Sequence, residues 1–481
     1  MRILLFLFLI PYISFCQRNE KLDSLVKQLV KDSRTAGASL LIASEGKIIL
    51  NKGYGYAELG LSVSADHNTK YFMVVPGGIM LAAGIMQLVE KNLLKLDDPI
   101  STYLPEFPLQ GKKVNVKHLL TSTSGIPDYH YLGDPYAGLR FQPRTLDEVI
   151  NLFAGQPFVI EPGQKFDWSI SNFALLVAIL EKVSNMSYEQ YVIKNFLQPL
   201  SLTQTEYITD NKIINQLAQG YHVVDTNLAP ARESLVKYDP SLRFVTTTGD
   251  IYKLWKGIKG GKAVSTKSYE LMTSREEALK NNSGRFGYGI SLYKDSLSEF
   301  IMGSGALDGY SNYLYYNPAK DLTIIVLSNS SNQAAREIGR RVANYLLEQH
   351  VPGFTTRKPF GFSNKPVNPE EFKDITGTYL IRRTRKDATA ASHNLYTRTI
   401  RIFIQNGNLM IQRFGELPNP LLLQPDGTFR EKNNTSTITF NTLGTSTITF
   451  NFSDGLGYDF GSKVGNADAR TFRAKAFENM K

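Results

Sequence analysis

The chain has 481 residues, room for two or three domains, and 42% of them are hydrophobic, an ordinary share for a globular protein with a full core. Its formal net charge of +10 is spread over many loops. The one tight basic run, Arg382-Arg383-Thr384-Arg385-Lys386, has no interleaved aromatics, so it reads as a solvated loop and gives no support to nucleic-acid binding.

Residues 1–16 read as an export signal. Arg2 supplies the positive start, and Ile3–Ile10 is an apolar run too short to span a bilayer. Ser14 and Cys16 flank Phe15 as small residues, which suits cleavage before Gln17. Lipidation of Cys16 is the rival, and Phe15 beside it is the wrong size for that. No later segment reaches transmembrane length, so the expected address is periplasmic or secreted. Cys16 is the only cysteine, and its removal leaves no disulfide, thiolate chemistry or Cys-ligated zinc. The histidines (His67, His118, His130, His222, His350 and His393) form no His-x-x-x-His pair, so no metal or other cofactor is expected.

Residues 20–33 have Leu22, Leu25, Val26 and Leu29 on one helical face. Ser39–Ser44 and Lys47–Asn51 flank Glu45-Gly46, a hairpin signal. Pro76 suits the first turn of a helix, where its missing N–H costs nothing. Ile79–Leu94 is apolar on nearly every side and reads as a buried central helix, and Phe173–Val183 as a second. Tyr313–Tyr316 and Leu322–Leu327 read as strands around a turn at Asn317-Pro318. Hairpins beside apolar helices imply an α/β (α+β) domain over 17–351: a central antiparallel sheet with a helical subdomain packed on it.

Residues 352–369 hold four prolines and two glycines and read as a linker. Beyond it, 370–481 reads as a small all-β domain. Arg401–Ile404 and Leu409–Gln412 flank Asn406-Gly407, a strong hairpin signal. Thr435–Asn441 and Thr445–Asn451 are both TSTITFN, a ten-residue step that suits a hairpin meander. This domain carries no reactive constellation and reads as a stabilising module or a docking site for a protein partner.

The segment from Thr69 to Leu104, TKYFMVVPGGIMLAAGIMQLVEKNLLKLDDPISTYL, resembles the active-site helix of the serine β-lactamase and penicillin-binding-protein-like family. Further matches follow in order from about Asp23 to Glu348. They include the glycine-aromatic turn Gly53-Tyr54-Gly55-Tyr56-Ala57, the stretch from Val116 to Tyr129, Thr247-Thr248-Gly249-Asp250, and Gly305 to Tyr310. In the Val116 stretch the family usually has a second His where Ser122 stands. The resemblance implies the family's sheet-and-helix fold and an acyl-transfer site of Ser-x-x-Lys, Tyr-x-Asn and His-x-Gly or Lys-Thr-Gly motifs.

At those positions the chain departs from the pattern. The Ser and Lys positions hold Val75 and Gly78. The Tyr and Asn positions hold Trp168 and Ile170, and no shift of register restores both. The His/Lys position holds Gly303, with Gly305 kept. Valine cannot attack a carbonyl, and tryptophan cannot shuttle a proton. Residues of one catalytic unit lose activity non-additively, roughly 10⁶-fold for the nucleophile or its base alone. Displaced nucleophiles are poorly supported. Ser24-Leu25-Val26-Lys27 and Ser234-Leu235-Val236-Lys237 are literal Ser-x-x-Lys runs, expected by chance among 54 Lys and Arg. Ser304, Ser311 and Ser169 read as ordinary strand or turn residues. The sequence therefore reads as an exported, catalytically inactive homologue binding a small-molecule or peptide ligand, or a partner, through the old cleft. The alternative is an active serine hydrolase with a non-standard nucleophile.

Overall fold

The computed structural model describes residues 9–33, 35–129, 145–209, 212–224, 227–231, 243–274, 286–294, 299–307, 309–347, 376–384, 397–413, 419–423, 429–431, 437–443, 447–453 and 458–465. The first residues of the export signal, His130, Ser234-Leu235-Val236-Lys237, the 352–369 linker, and Arg385-Lys386 of the basic run lie outside them. Helices in chain order are α1 (Leu9–Asp32), α2 (Val75–Glu90), α3 (Val116–Leu120), α4 (Leu146–Phe153), α5 (Ser171–Ser184), α6 (Tyr188–Val192), α7 (Thr248–Lys259), α8 (Thr266–Met272) and α9 (Ala334–Leu347). Strands β1 to β8 are Gly37–Ser44, Lys47–Glu58, Val63–Ser64, Tyr71–Phe72, Glu206–Tyr207, Tyr221–Val224, Asn227–Pro230 and Phe244–Thr246. Strands β9 to β12 are Leu292–Lys294, Glu299–Leu307, Tyr310–Asn317 and Leu322–Ser328. Strands β13 to β20 are Gly377–Thr384, Thr397–Gln405, Asn408–Arg413, Asn419–Leu423, Phe429–Glu431, Thr437–Leu443, Thr447–Ser453 and Tyr458–Gly465. Two compact units divide the chain. One is Met1–Leu93, Ser184–Arg275 and Arg285–Phe354; the other is Leu94–Val183, Glu276–Gly284 and Thr355–Lys481.

The first unit is built on an antiparallel sheet in the order β3-β2-β1-β12-β11-β10-β9. Alternation along its strands feeds two faces. One face presents Leu40, Ile42, Met302, Tyr313, Tyr315, Ile324 and Val326 to α1 and α9, which contribute Leu22, Val26, Leu29, Ile338 and Val342. Ser39, Leu41, Leu314, Ile325 and Leu327 fill the opposite face, where α2 and α7 pack. That is why β1, β11 and β12 are buried along almost their whole length, as sheets covered on both sides must be.

Helix α2 is buried on nearly every side, through Ile79, Met80, Leu81, Ala83, Ile85, Met86 and Leu88. It starts earlier and ends earlier than the apolar run from Ile79 to Leu94 suggests. Asn92 takes a left-handed backbone (φ 56°), and Leu93 N–H returns to Leu88 C=O at 3.0 Å, so the helix closes at Glu90. Gly53–Ala57, expected as a turn, instead lies within β2, which bulges near Tyr56 where Ala65 N–H bonds Gly55 C=O. Tyr56 N–H also bonds Ala36 C=O, so the segment stays paired on both sides while Gly55 takes the left-handed backbone (φ 70°) of the bulge.

In the second unit, Thr145 and Glu148 form a capping box that starts α4. The segment after α3 runs beside residues 159–167: Asp167 N–H bonds Ser122 C=O, Gly163 N–H bonds Thr123 C=O, and Val159 N–H bonds Gly125 C=O. The C-terminal strands form a closed barrel, β13 pairing with both β14 and β20. The TSTITFN repeats pair with each other, Ile438 opposite Phe452 and Phe440 opposite Phe450, as a hairpin meander. Asn406 and Gly407 both have positive φ, the geometry that lets a two-residue turn follow strand twist. Among the described residues, no helix is long and apolar enough to cross a membrane.

Candidate active site

In the first unit the candidate positions gather on the face of the sheet that carries α2. Val75 opens α2, with Pro76 in its first turn. The chain reaches that point under tight control. Met73 N–H bonds Phe244 C=O at 2.8 Å. Val74 N–H bonds Asn312 Oδ1 at 2.6 Å, and Asn312 Nδ2 donates to Phe72 C=O at 3.1 Å. Asn312, buried on β11, thus ties the start of the helix to the sheet. Sequence reading did not single it out, because an Asn inside an apolar strand carries no motif.

Register places the two glycines of β10. Gly305 is paired with Asn312 and Gly303 with Leu314. Residues directly opposite in an antiparallel pair share a face, so Gly303 and Gly305 lie on the Asn312 side, towards the beginning of α2. Gly78 is one turn into α2. Gly289 (φ 76°) packs against this stretch: a Cβ built on it would lie 2.3 Å from Ala82 Cβ and 3.6 Å from the Gly78 carbonyl oxygen. The structure therefore brings together Val75, Gly78, Gly303 and Gly305. None of them carries a hydroxyl, amine, imidazole or carboxylate, so the set offers no nucleophile and no proton carrier.

The serines considered as replacements are placed elsewhere. Ser304 is opposite Tyr313 and so belongs to the α1/α9 face of the sheet. Ser311 is on that face too, buried, accepting from Ala335 N–H at 3.2 Å. Ser24 is exposed on α1, and its partner Lys27 is ion-paired to Asp23 at 2.9 Å.

Trp168 and Ile170 belong to the second unit, on the segment that leads into α5. Asp167 N–H on Ser122 C=O anchors it, and Ile170 C=O accepts from Phe173 N–H at 3.0 Å. Trp168 is 43% exposed, its ring 5.3 Å from that of Phe173. Ser169, between them, is buried and has no hydrogen-bond partner for its hydroxyl. Among the described residues no group of three or more His, Cys, Asp or Glu could hold a metal ion.

Comparison with known proteins agrees with this architecture. A profile described as Beta-lactamase matches residues 22–347. Protein flp of Staphylococcus aureus (strain MRSA252) is 27% identical over 322 residues, covering 65% of this chain but only 63% of flp. The chain thus spans less than two thirds of that relative. The putative penicillin-binding protein PbpX of Bacillus subtilis (strain 168) is 29% identical over 324 residues, 66% of this chain and 75% of PbpX. The octameric penicillin-binding protein homologue from Pyrococcus abyssi has the same fold, with a TM-score of 0.62 at 23% identity over 92% of this chain and 99% of its own. With the family profile matched over well more than half of its length and the sheet, α2 and β10 arranged in that fold, the chain belongs to the Beta-lactamase family.

Proposed function

We propose that this chain is an exported, catalytically silent member of the family that works by binding rather than by bond cleavage. One observation carries the reading: α2 begins Val75-Pro76-Gly77-Gly78, and the glycines of β10 lie on the same side of the sheet. Val75, Gly78, Gly303 and Gly305 offer no group to attack a carbonyl or move a proton, while the backbone frame is kept by Asn312. Its ligand is a small molecule or peptide, accommodated where the family's long polar side chains would stand. The apolar run near the N-terminus supports export, with cleavage before Gln17, a point inside α1. The closed C-terminal barrel has no free strand edge, so a protein partner there would meet its outer surface or rim rather than add a strand.

The test is intact mass after incubation with a labelled penicillin and with a fluorophosphonate. No added mass is expected. Stoichiometric labelling at any serine would overturn the reading in favour of an active hydrolase with a non-standard nucleophile. Retention of the unmodified penicillin by the protein, measured by equilibrium dialysis, would support the binding reading.

A further inference from the structure

Three buried polar groups of the second unit have no protein partner, and they sit in one knot of backbone. They are Ser122 Oγ, Ser169 Oγ and Asn172 Nδ2. Each residue is at most 1% exposed. Ser122 is joined to the Trp168 segment by its carbonyl, which accepts from Asp167 N–H at 2.7 Å. Ser169 C=O accepts from Asn172 N–H at 3.3 Å. Asn172 Oδ1 accepts from Ser124 Oγ at 2.6 Å, and Ser124 is two residues from Ser122. Ser122 also holds a left-handed backbone, φ 53°, which is uncommon outside Gly, Asn and Asp.

Such a cluster is costly if it is dry. A buried hydroxyl or amide without a partner forfeits the hydrogen bonds it made to water in the unfolded chain. Native proteins leave only a few such groups, and three on segments bonded to one another suit an internal water, which binds two to four polar partners.

We propose that Ser122, Ser169 and Asn172 enclose an internal solvent site that binds ordered water. The water is the polar filling beneath the segment that carries Trp168 and Ile170. It accepts from Asn172 Nδ2 and exchanges hydrogen bonds with the two hydroxyls. This holds whatever the outcome of the acylation test, because it concerns the support of the segment and not its chemistry.

Two measurements test it. In a high-resolution crystal structure of the full chain, a water is expected within hydrogen-bond distance of at least two of the three atoms. An empty site, or direct hydrogen bonds among the three groups, overturns the proposal. The second uses Ser169→Ala, for which a dry and a hydrated site predict opposite signs. Removing an unsatisfied hydroxyl from a dry site relieves a penalty and raises the melting temperature. Taking one partner from a bound water lowers it, by about 2–4 °C for a unit of this size. A lower melting temperature is expected; a rise overturns the proposal. Ser122→His in the same crystal form should show the ring occupying the site and the water gone. Water persisting there beside the ring would overturn it as well.

Discussion

Asn312→Ala is the sharpest probe of how the frame of the site is held. The side chain makes two hydrogen bonds, from Val74 N–H at 2.6 Å and to Phe72 C=O at 3.1 Å, from a residue 1% exposed. Two net hydrogen bonds at about 0.5–1.5 kcal/mol each, plus part of the roughly 1–3 kcal/mol for a buried N–H left unpaired, set the scale. Val74 is only half-buried, so water recovers some of that loss. The expected cost is about 2–3 kcal/mol, a fall in melting temperature of about 4–12 °C for a unit of this size. Circular dichroism through thermal unfolding measures it. Asn312→Asp is the informative companion. It keeps the acceptor for Val74 but loses the donor to Phe72 and buries a charge, so it should destabilise at least as much at neutral pH. Its deficit should shrink on acidification, when the protonated carboxyl can donate again. An Asn312→Ala protein melting within about 1 °C of the parent would refute the reasoning, since one hydrogen bond alone is expected to move it further.

Three more outcomes follow from particular contacts. Putting Ser at position 75 and Lys at 78 should give at most slow acylation, seen as a burst without steady ester hydrolysis, because the positions that match the family's Tyr, Asn and His/Lys hold Trp168, Ile170 and Gly303, side chains that do not transfer a proton; steady turnover would contradict this. Glu206 is held below the usual carboxylate range by its hydrogen bond to Lys212, at 2.8 Å, and by that to the buried Lys70. Its contribution should be present above the unfolded-chain value of about 4.3 and be lost as pH falls through the lower folded value. The gap in melting temperature between the parent and Glu206→Gln should therefore be clear at neutral pH and close in acid; a gap unchanged in acid would count against the ion pair. Gly289→Ala forces a Cβ to 2.3 Å from Ala82 Cβ at a left-handed position, adding about 1–2 kcal/mol of backbone strain to about 1–3 kcal/mol of overpacking. Its urea midpoint should drop with the slope unchanged, and an unshifted midpoint would mean that α2 moves freely away.

What could be read directly from the sequence is whatever depends on near neighbours or on residue type. Glu45-Gly46 and Asn406-Gly407 specify their hairpins because a two-residue turn is a local conformational choice. The all-round apolar pattern after Pro76 announces a buried helix because one segment carries the whole pattern. The chemical gaps were equally plain, since valine has no hydroxyl and glycine no amine in any fold. What the sequence hid is non-local. The end of α2 rests on a left-handed Asn92, and the placing of Gly53–Ala57 within β2 rests on pairing with Ala36 and Ala65. Nothing in a single strand says that β13 meets β20 to close a barrel. The clamp of Asn312 on Val74 and Phe72 joins residues some 240 positions apart. Ser122, Ser169 and Asn172 look like ordinary polar residues until the fold removes their solvent. Hydrophobic pattern fixes which side of an element turns inward, but which groups meet there, and which polar atoms are left to satisfy, is decided only when distant segments pack.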